Sequence, residues 1–356
     1  MRKLPKFSVF LTFIRLHNYP AYFLVIPTIL YHVKSDSGGR RREAAKRKGV
    51  RKAMREAGYG ERAGNGRKRC VRTDLCEELC AGAPSLPGIG KSRSEMNGIP
   101  VVRVEVTSGE GAALLGRPVG TYLTLHIGKA WLMDEEEKRD AAETVAACLL
   151  SLFRKVSPAK GPVLVVGLGN PCLASDAVGP FTVREITVTR HLKDAMPALF
   201  EAFGGIPVAA LSPGVVGQTG IETAELVRGA AETVRPALVI TVDALAARET
   251  GRLANTVQLS DTGIRPGSGV GNHRAAIDRS LLGVPVIAVG VPTVIDANTL
   301  VLDALEKTGS GNAPERFFPE DENFFVSLKE CDAAVGAVSS LLAEAIDLAL
   351  KRFAEE

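Results

Sequence analysis

The segment VLVVGLGNPCLASDAVG, residues 163–179, decides the fold prediction. It opens with four consecutive apolar residues, continues through a loop that contains two glycines, and leads into a helix that follows Gly179 and Pro180. A short apolar run bounded by turn residues is typical of a strand that is buried on both faces. The segment therefore predicts one strand, loop and helix unit of an α/β protein.

The same pattern recurs further along the chain. Apolar runs predict strands at residues 208–211, 237–242 and 284–291, and the intervening sequences predict helices from about 220 to 231 and from about 296. Strands that are separated by helices of this length run parallel, because a parallel connection needs a long crossover. The sequence thus predicts a mostly parallel sheet with helices on both faces.

Other regular patterns lie on either side of this repeat. Alternating residues at 100–106 and 121–126 predict an added β-hairpin across the turn-rich residues 116–120. Asp134 and Glu137 have the spacing of a capping box at the start of an amphipathic helix. A last amphipathic helix is predicted at 331–353, so residues 75–356 are predicted to form a single α/β domain.

The N-terminal part of the chain is set apart by its charge. The 356 residues carry a net charge of +4, but residues 1–69 carry +14 and residues 70–356 carry −10. We therefore predict a basic N-terminal extension over residues 1–74 that is largely disordered. A nucleic-acid-binding arm is one alternative; a membrane anchor within the apolar but interrupted residues 7–33 is another.

The cysteines argue against a disulfide framework. Six are present, and no pair has the two-residue spacing of zinc ribbons or redox dithiols. Reduced cysteines in a cytosolic protein are the favoured interpretation. The grouping of Cys70, Cys76 and Cys80 leaves a metal site open as an alternative.

Two carboxylates occupy positions that favour catalysis. Asp176 closes the loop after one predicted strand, and Asp243 lies at the end of another. In a parallel sheet these positions share the edge where active sites gather, so the two side chains are expected to face each other. Such a pair can activate a water, with one acid ionised and the other protonated. The alternative is that each aspartate caps the helix that follows it.

Glycine-rich loops are candidates for holding a substrate. Residues 260–272 contain four glycines, whose neighbouring amides could bind a peptide chain or an oxyanion: Gly263, Gly267, Gly269 and Gly271. A merely flexible loop is the alternative. Residues 167–170, Gly-Leu-Gly-Asn, suggest a dinucleotide site, but the third glycine of that motif is missing.

Several motifs together resemble those of the germination proteases of spore-forming bacteria. The likeness extends over roughly residues 70–350 and lies in RTDL (72–75), GTYLTL (120–125), VGLGN (166–170), DAVGP (176–180), PGVVGQTGIET (213–223), DALAAR (243–248), QLSDTG (258–263) and GVPT (290–293). The loop at 170–175 departs from the family by lacking an aromatic residue. His273 stands where relatives more often have Lys or Arg.

The resemblance implies an endopeptidase that initiates degradation of small acid-soluble spore proteins during germination. It implies a fold like that of the hydrogenase-maturation endopeptidases, a homotetramer in the cytoplasm of the spore core, and no cofactor or metal. The family's two essential aspartates correspond to Asp176 and Asp243. Neither membrane association nor direct nucleic-acid binding by the mature domain is expected.

The resemblance also implies a zymogen that removes its own propeptide. Residues 73–78, Thr-Asp-Leu-Cys-Glu-Glu, are similar to the sites that this family cleaves. We therefore predict self-cleavage between Asp74 and Leu75, which removes the basic extension.

Three other functions are compatible with parts of the sequence. One is a metal-dependent maturation endopeptidase of the same fold, in which two carboxylates and a histidine bind an ion. Another is a peptidyl-tRNA hydrolase, although His191 lies far along the chain from the Gly-Asn-Pro turn at 169–171. The third is a non-enzymatic nucleoid-binding protein that uses the basic arm.

Overall fold

The computed structural model describes residues 9–15, 23–29, 72–81, 86–156, 160–267, 274–308 and 324–355. The chain divides into two compact units, residues 1–66 and 67–356. In the first unit, strands β1 (Val9–Arg15) and β2 (Phe23–Ile29) pair antiparallel, and neither strand was predicted from the sequence. Cys70 lies outside the described residues.

The second unit is built around one nine-stranded sheet with the order β3-β4-β5-β9-β10-β8-β6-β7, and β11 pairs with β10. The strands are β3 (Ile89–Met96), β4 (Ile99–Val106), β5 (Gly120–Leu125), β6 (Val163–Gly167), β7 (Val208–Leu211), β8 (Leu238–Ala247), β9 (Val257–Ser260), β10 (Val286–Asp296) and β11 (Phe325–Ser327).

Eleven α-helices are present among the described residues. They are α1 (Cys76–Leu79), α2 (Gly109–Leu115), α3 (Glu135–Val156), α4 (Val178–Glu185), α5 (Leu192–Ala195), α6 (Pro197–Ala202), α7 (Val216–Thr219), α8 (Thr223–Val234), α9 (Arg279–Leu282), α10 (Ala297–Lys307) and α11 (Cys331–Ala354). Helix α3 begins with the predicted capping box, in which the Asp134 carboxylate accepts from the Glu137 amide at 2.9 Å and the Glu137 carboxylate accepts from the Asp134 amide at 3.0 Å.

The α/β fold class is confirmed. Strands β7, β6, β8 and β10 are parallel neighbours, as the repeated strand and helix pattern predicts. The other half of the sheet is antiparallel and extends through β9, β5, β4 and β3. The predicted hairpin corresponds to the antiparallel pair β4 and β5, but the connection between these strands contains helix α2 rather than a turn alone.

Helices cover both faces of the sheet, and strand alternation determines which residues meet them. In β6, Val163 and Val165 pack on the first face with α3, α4 and α11, whereas Leu164 and Val166 pack on the second face with α8. Helix α11 is the one described helix that is long and apolar enough to cross a membrane, and most of its apolar stretch is buried against this core.

The antiparallel half of the second face is covered differently. Here α1 packs against alternate residues of β4, with Cys76 and Cys80 buried beside Val102 and Val104. Residues 72–80 therefore form part of the packed structure, and a cavity opens near the point where this segment meets the parallel half of the sheet.

Candidate active site

A cavity of about 470 Å³ lies at the carboxyl ends of the parallel strands. The structure brings both predicted aspartates, Asp176 and Asp243, to its wall. The other lining residues are Asp74, Leu168, Gly169, Leu173, Ser175, Gly214, Val215, Thr223, Ala244, Leu245, Ala246, Pro266, Gly267, Arg274, Thr293, Val294 and Phe325.

Asp176 is positioned by the loop that follows β6. It ends a single 3₁₀ turn, and its Oδ2 accepts a hydrogen bond from the Asn170 amide at 2.9 Å. Gly169 has a φ of +117°, and a Cβ at this position would come within 2.0 Å of the Asp176 carbonyl oxygen. The glycine in this loop therefore lets the chain pass close to the aspartate, and the Asp176 side chain is directed to the loop rather than to a helix cap.

Asp243 lies within strand β8, which continues five residues beyond the predicted end of the strand at 242. Leu238, Ile240 and Val242 face the first-face core, so alternation directs Asp243 to the second face. Its Oδ1 accepts a hydrogen bond from the adjacent Ala244 amide at 3.0 Å. The helix-cap alternative is therefore wrong for both aspartates.

Burial controls the protonation of this pair. It raises the pKa of Asp176 above the ordinary value, and it raises the pKa of Asp243 further because that side chain is more deeply enclosed. The nearby charges of Asp176 and Asp74 also raise the pKa of Asp243, while Arg274 acts in the opposite direction on both aspartates. Because the pKa of Asp243 is raised more than that of Asp176, the pair is expected to hold one proton, mainly on Asp243, while Asp176 is ionised.

A third carboxylate, that of Asp74, reaches the same cavity. The Asp74 amide donates to the Ala246 carbonyl at 2.8 Å, and the Asp74 Oδ2 accepts from the Ala246 amide at 3.0 Å. Arg117 donates to Asp74 Oδ1 at 3.1 Å and to the Thr73 carbonyl at 3.0 Å. Asp74, the residue before the predicted cleavage point, is thus held by hydrogen bonds from both its backbone and its side chain.

Leu75 lies on the other side of that predicted bond and is fully buried. It belongs to an apolar cluster with Leu245, Ala247, Leu253 and Ile295. The following acids are also held: Glu77 accepts from Arg252 at 3.1 Å, and Glu78 accepts from the backbone amides of residues 248 and 249 at 2.8 and 2.9 Å. The predicted recognition sequence is therefore docked on the domain that would cleave it.

The four glycines predicted to bind substrate differ in their position relative to the cavity. Gly267 lines the cavity. Gly263 does not line the cavity. Its φ is +72°, and a Cβ there would lie 2.4 Å from the Ile277 carbonyl oxygen, so a glycine is needed where the backbone at 263 passes close to the backbone at 277. Gly269, Gly271 and the nearby His273 lie outside the described residues.

Other candidate functions receive no support from the cavity wall. His191 is exposed and is not among the lining residues, which disfavours the hydrolase that acts on peptidyl-tRNA. Within the part of the chain that the structure describes, no group of three His, Cys, Asp or Glu residues is arranged to hold a metal ion.

Three polar residues near the site were not predicted as site residues: Arg117, Gln258 and Arg274. Arg274 lines the cavity, whereas Arg117 and Gln258 bind the segment that contains Asp74. No local sequence signal identifies them, because each acquires its contact only through the tertiary fold.

An α/β sheet with paired carboxylates in a cavity at its edge is the architecture of a candidate hydrolase. The family model of the germination proteases matches residues 81–308. The chain belongs to the germination protease family and is a protease of spore germination.

Individual relatives agree with this assignment. A germination protease of Clostridium perfringens is 39% identical over 278 residues, which cover 71% of this chain and 85% of that protein. One from Caldanaerobacter subterraneus is 38% identical over 312 residues, covering 79% and 94%. One from Bacillus pumilus is 44% identical over 222 residues, covering 62% and 59%.

Among solved structures, a NiFe hydrogenase maturation protease from Thermococcus kodakarensis aligns with 56% of this chain and 98% of its own. The TM-score is 0.32 and the sequence identity is 16%.

Proposed function

We propose that this protease is an endopeptidase that initiates the degradation of small acid-soluble spore proteins, with Asp176 and Asp243 activating the attacking water. The observation that carries the proposal is the placement of both carboxylates on one cavity wall, at unequal depth. Family membership supports the choice of substrate, since relatives are named germination proteases.

From the unequal depth we infer separate roles for the two acids. Asp176 is ionised and takes a proton from the water as the water oxygen attacks the peptide carbonyl carbon. Asp243 enters the reaction protonated, because burial raises its pKa strongly, and supplies a proton to the departing amine. One water is consumed, the carbon–nitrogen bond breaks, and no covalent enzyme intermediate forms.

We propose further that the chain is a zymogen that cleaves itself between Asp74 and Leu75. Asp74 shares the cavity with Asp176 and Asp243, which supports cleavage by the same chain. The docked segment, residues 72–80, occupies part of the space that another substrate would need, so the uncleaved chain is expected to be inactive toward other proteins.

A homotetramer in the spore cytoplasm is proposed from the family alone, and light scattering of the purified chain would test it.

Replacing either aspartate should impair cleavage. Asp176→Asn and Asp243→Asn should each slow self-cleavage by about 10²–10⁴-fold, since each removes one proton-transfer step. The same loss is expected when a chain that begins at Leu75 is incubated with a purified small acid-soluble spore protein. N-terminal sequencing of the products locates the cleaved bond.

Asp347→Asn is the matched control. Burial raises the pKa of Asp347 as well, but this residue accepts hydrogen bonds from Thr187, outside the cavity. The Asp347→Asn variant should be cleaved at the rate of the parent chain, and a chelator should also leave the rate unchanged.

Substantial turnover by either aspartate variant would refute the assigned roles, and a mature N-terminus far from Leu75 would refute the proposed cleavage point.

A further inference from the structure

Gln258 occupies the same row of the sheet as Asp243. Asp243 pairs with Gly290 across β8 and β10, and Gly290 pairs with Gln258 across β10 and β9. Residues in register on neighbouring strands point to the same face, so both polar side chains project toward the docked segment. Gly290 between them contributes no side chain of its own.

The Gln258 side chain binds the backbone on both sides of Leu75. Its Nε2 donates to the Asp74 carbonyl oxygen at 3.0 Å, and its Oε1 accepts from the Cys76 amide at 2.7 Å. The chemistry fixes the orientation of the amide, because a carbonyl oxygen can only accept and a backbone N–H can only donate. The contact at Asp74 therefore involves the donor end of the glutamine.

The carbonyl that Gln258 contacts belongs to the proposed cleavage bond. The remaining groups of that bond are held as well: the Leu75 amide donates to Thr73 Oγ1 at 3.0 Å, and Arg117 and the Ala246 amide hold the Asp74 carboxylate. The bond is thus held in one orientation, with a hydrogen-bond donor already at its carbonyl oxygen.

We propose that Gln258 is a catalytic residue of self-cleavage, which stabilises the negative charge that forms on the Asp74 carbonyl oxygen. This inference rests on the proposed cleavage between Asp74 and Leu75. When the water oxygen bonds to the carbonyl carbon, the carbonyl π electrons move to its oxygen, and the Nε2–H donor strengthens its bond to that charge. When the carbon–nitrogen bond breaks, the electrons return to the carbonyl, and the Leu75 nitrogen leaves with a proton.

A donor that is already positioned costs no reorganisation during the reaction, and removing one such donor typically slows catalysis by about 10²–10³-fold. Gln258→Glu tests this role. The ionised carboxylate still accepts from the Cys76 amide but has no proton to donate to Asp74. We expect self-cleavage at neutral pH to fall about 100-fold, with cleavage at the same bond.

The pH profile separates this role from a purely structural one. The carboxyl group introduced by Gln258→Glu can donate again once it is protonated, so the rate of this variant relative to the parent chain should rise as the pH falls. Taking the ratio at each pH corrects for the pH dependence that the parent chain itself shows. Gln258→Met, which has no donor at any pH, should show no such recovery.

Asn97→Asp is the charge control, because it adds the same negative charge in the exposed turn between β3 and β4, where its side chain contacts the Thr144 hydroxyl rather than the docked segment. It should cleave at the parent rate. Rates for Gln258→Glu and Gln258→Met within about twofold of the parent would overturn the proposal. So would a loss that tracks a lowered melting temperature without recovery at low pH. If the parent chain is not cut after Asp74, the cleavage proposal and this one both fail.

Discussion

Asp243 occupies a place where an ionised side chain is costly. It is 6% exposed, and the carboxylates of Asp176 and Asp74 act on it. Its pKa is therefore raised in the folded state, so the folded protein holds this proton at pH values where the unfolded chain has released it. The contribution of this one side chain to stability is therefore greatest below the ordinary aspartate pKa and is lost as the pH rises toward the folded pKa.

It follows that Asp243→Asn should stabilise the fold at neutral pH while it slows cleavage. We expect a gain of about 1 kcal/mol or more at pH 7, which corresponds to a rise of about 2–4 °C in melting temperature. The gain should vanish near pH 3, where this side chain is protonated in the unfolded chain as well as in the folded protein. Thermal unfolding at both pH values measures it.

Asp176→Asn provides the comparison, because it also slows cleavage but replaces a less buried carboxyl group. Its gain should be smaller than that of Asp243→Asn. An Asp243→Asn protein that is less stable than the parent at pH 7 would contradict the inferred cost of ionisation.

The two aspartates could be predicted from sequence because their signal is local. A carboxylate that follows an apolar strand marks the edge of a parallel sheet, whatever the rest of the chain does. Gln258 and Arg117 carry no such signal: their partner, Asp74, lies 184 and 43 residues away along the chain. Only the docking of residues 72–80 shows what they contact.

At the level of elements, agreement between sequence and structure follows the strength of local patterning. Strand β7, helix α11 and the capping box at Asp134 were predicted closely, because each has a clear period or cap. Strand β3 was missed since seven of its eight residues are exposed, which leaves no apolar alternation to detect. Strand β8 was predicted too short, because its last residues pack against the docked segment rather than against a helix.

The docked segment allows a prediction about its state after cleavage. Helix α1 is fixed by buried Cys76 and Cys80, and Glu77 and Glu78 bind groups of the body. Loss of residues 1–74 removes none of these contacts, so α1 should stay in place in the mature chain.

Burial raises the pKa of Cys76 to about 12, which makes its thiol unreactive at neutral pH.

Thiol labelling followed by peptide mass spectrometry tests this expectation. In the folded protein, exposed Cys172 should react quickly, and Cys76 should remain unlabelled both before and after cleavage. Labelling in denaturant provides the control that the Cys76 peptide can be detected. Fast labelling of Cys76 in the cleaved protein alone would show that α1 leaves the sheet when the chain is cut.

For the whole molecule, cleavage would change the net charge greatly, because the basic residues are concentrated near the N-terminus. The intact chain has a calculated isoelectric point near 8.7, and residues 1–69 carry +14. A chain that begins at Leu75 carries −10, because Arg72 and Asp74 cancel each other. Self-cleavage would therefore convert a basic protein into an acidic one, and the acidic form should be repelled by nucleic acid.

We expect the intact chain to bind duplex DNA without sequence preference and the cleaved chain not to bind. Asp176→Asn should keep the protein intact during the measurement and should bind as the basic form does. The affinity should drop steeply between about 50 and 200 mM salt, because binding through basic residues releases counterions. Gel-shift titrations at both salt concentrations measure this effect. If the chain that begins at Leu75 binds DNA as tightly as Asp176→Asn, the basic extension is not the source of the attraction.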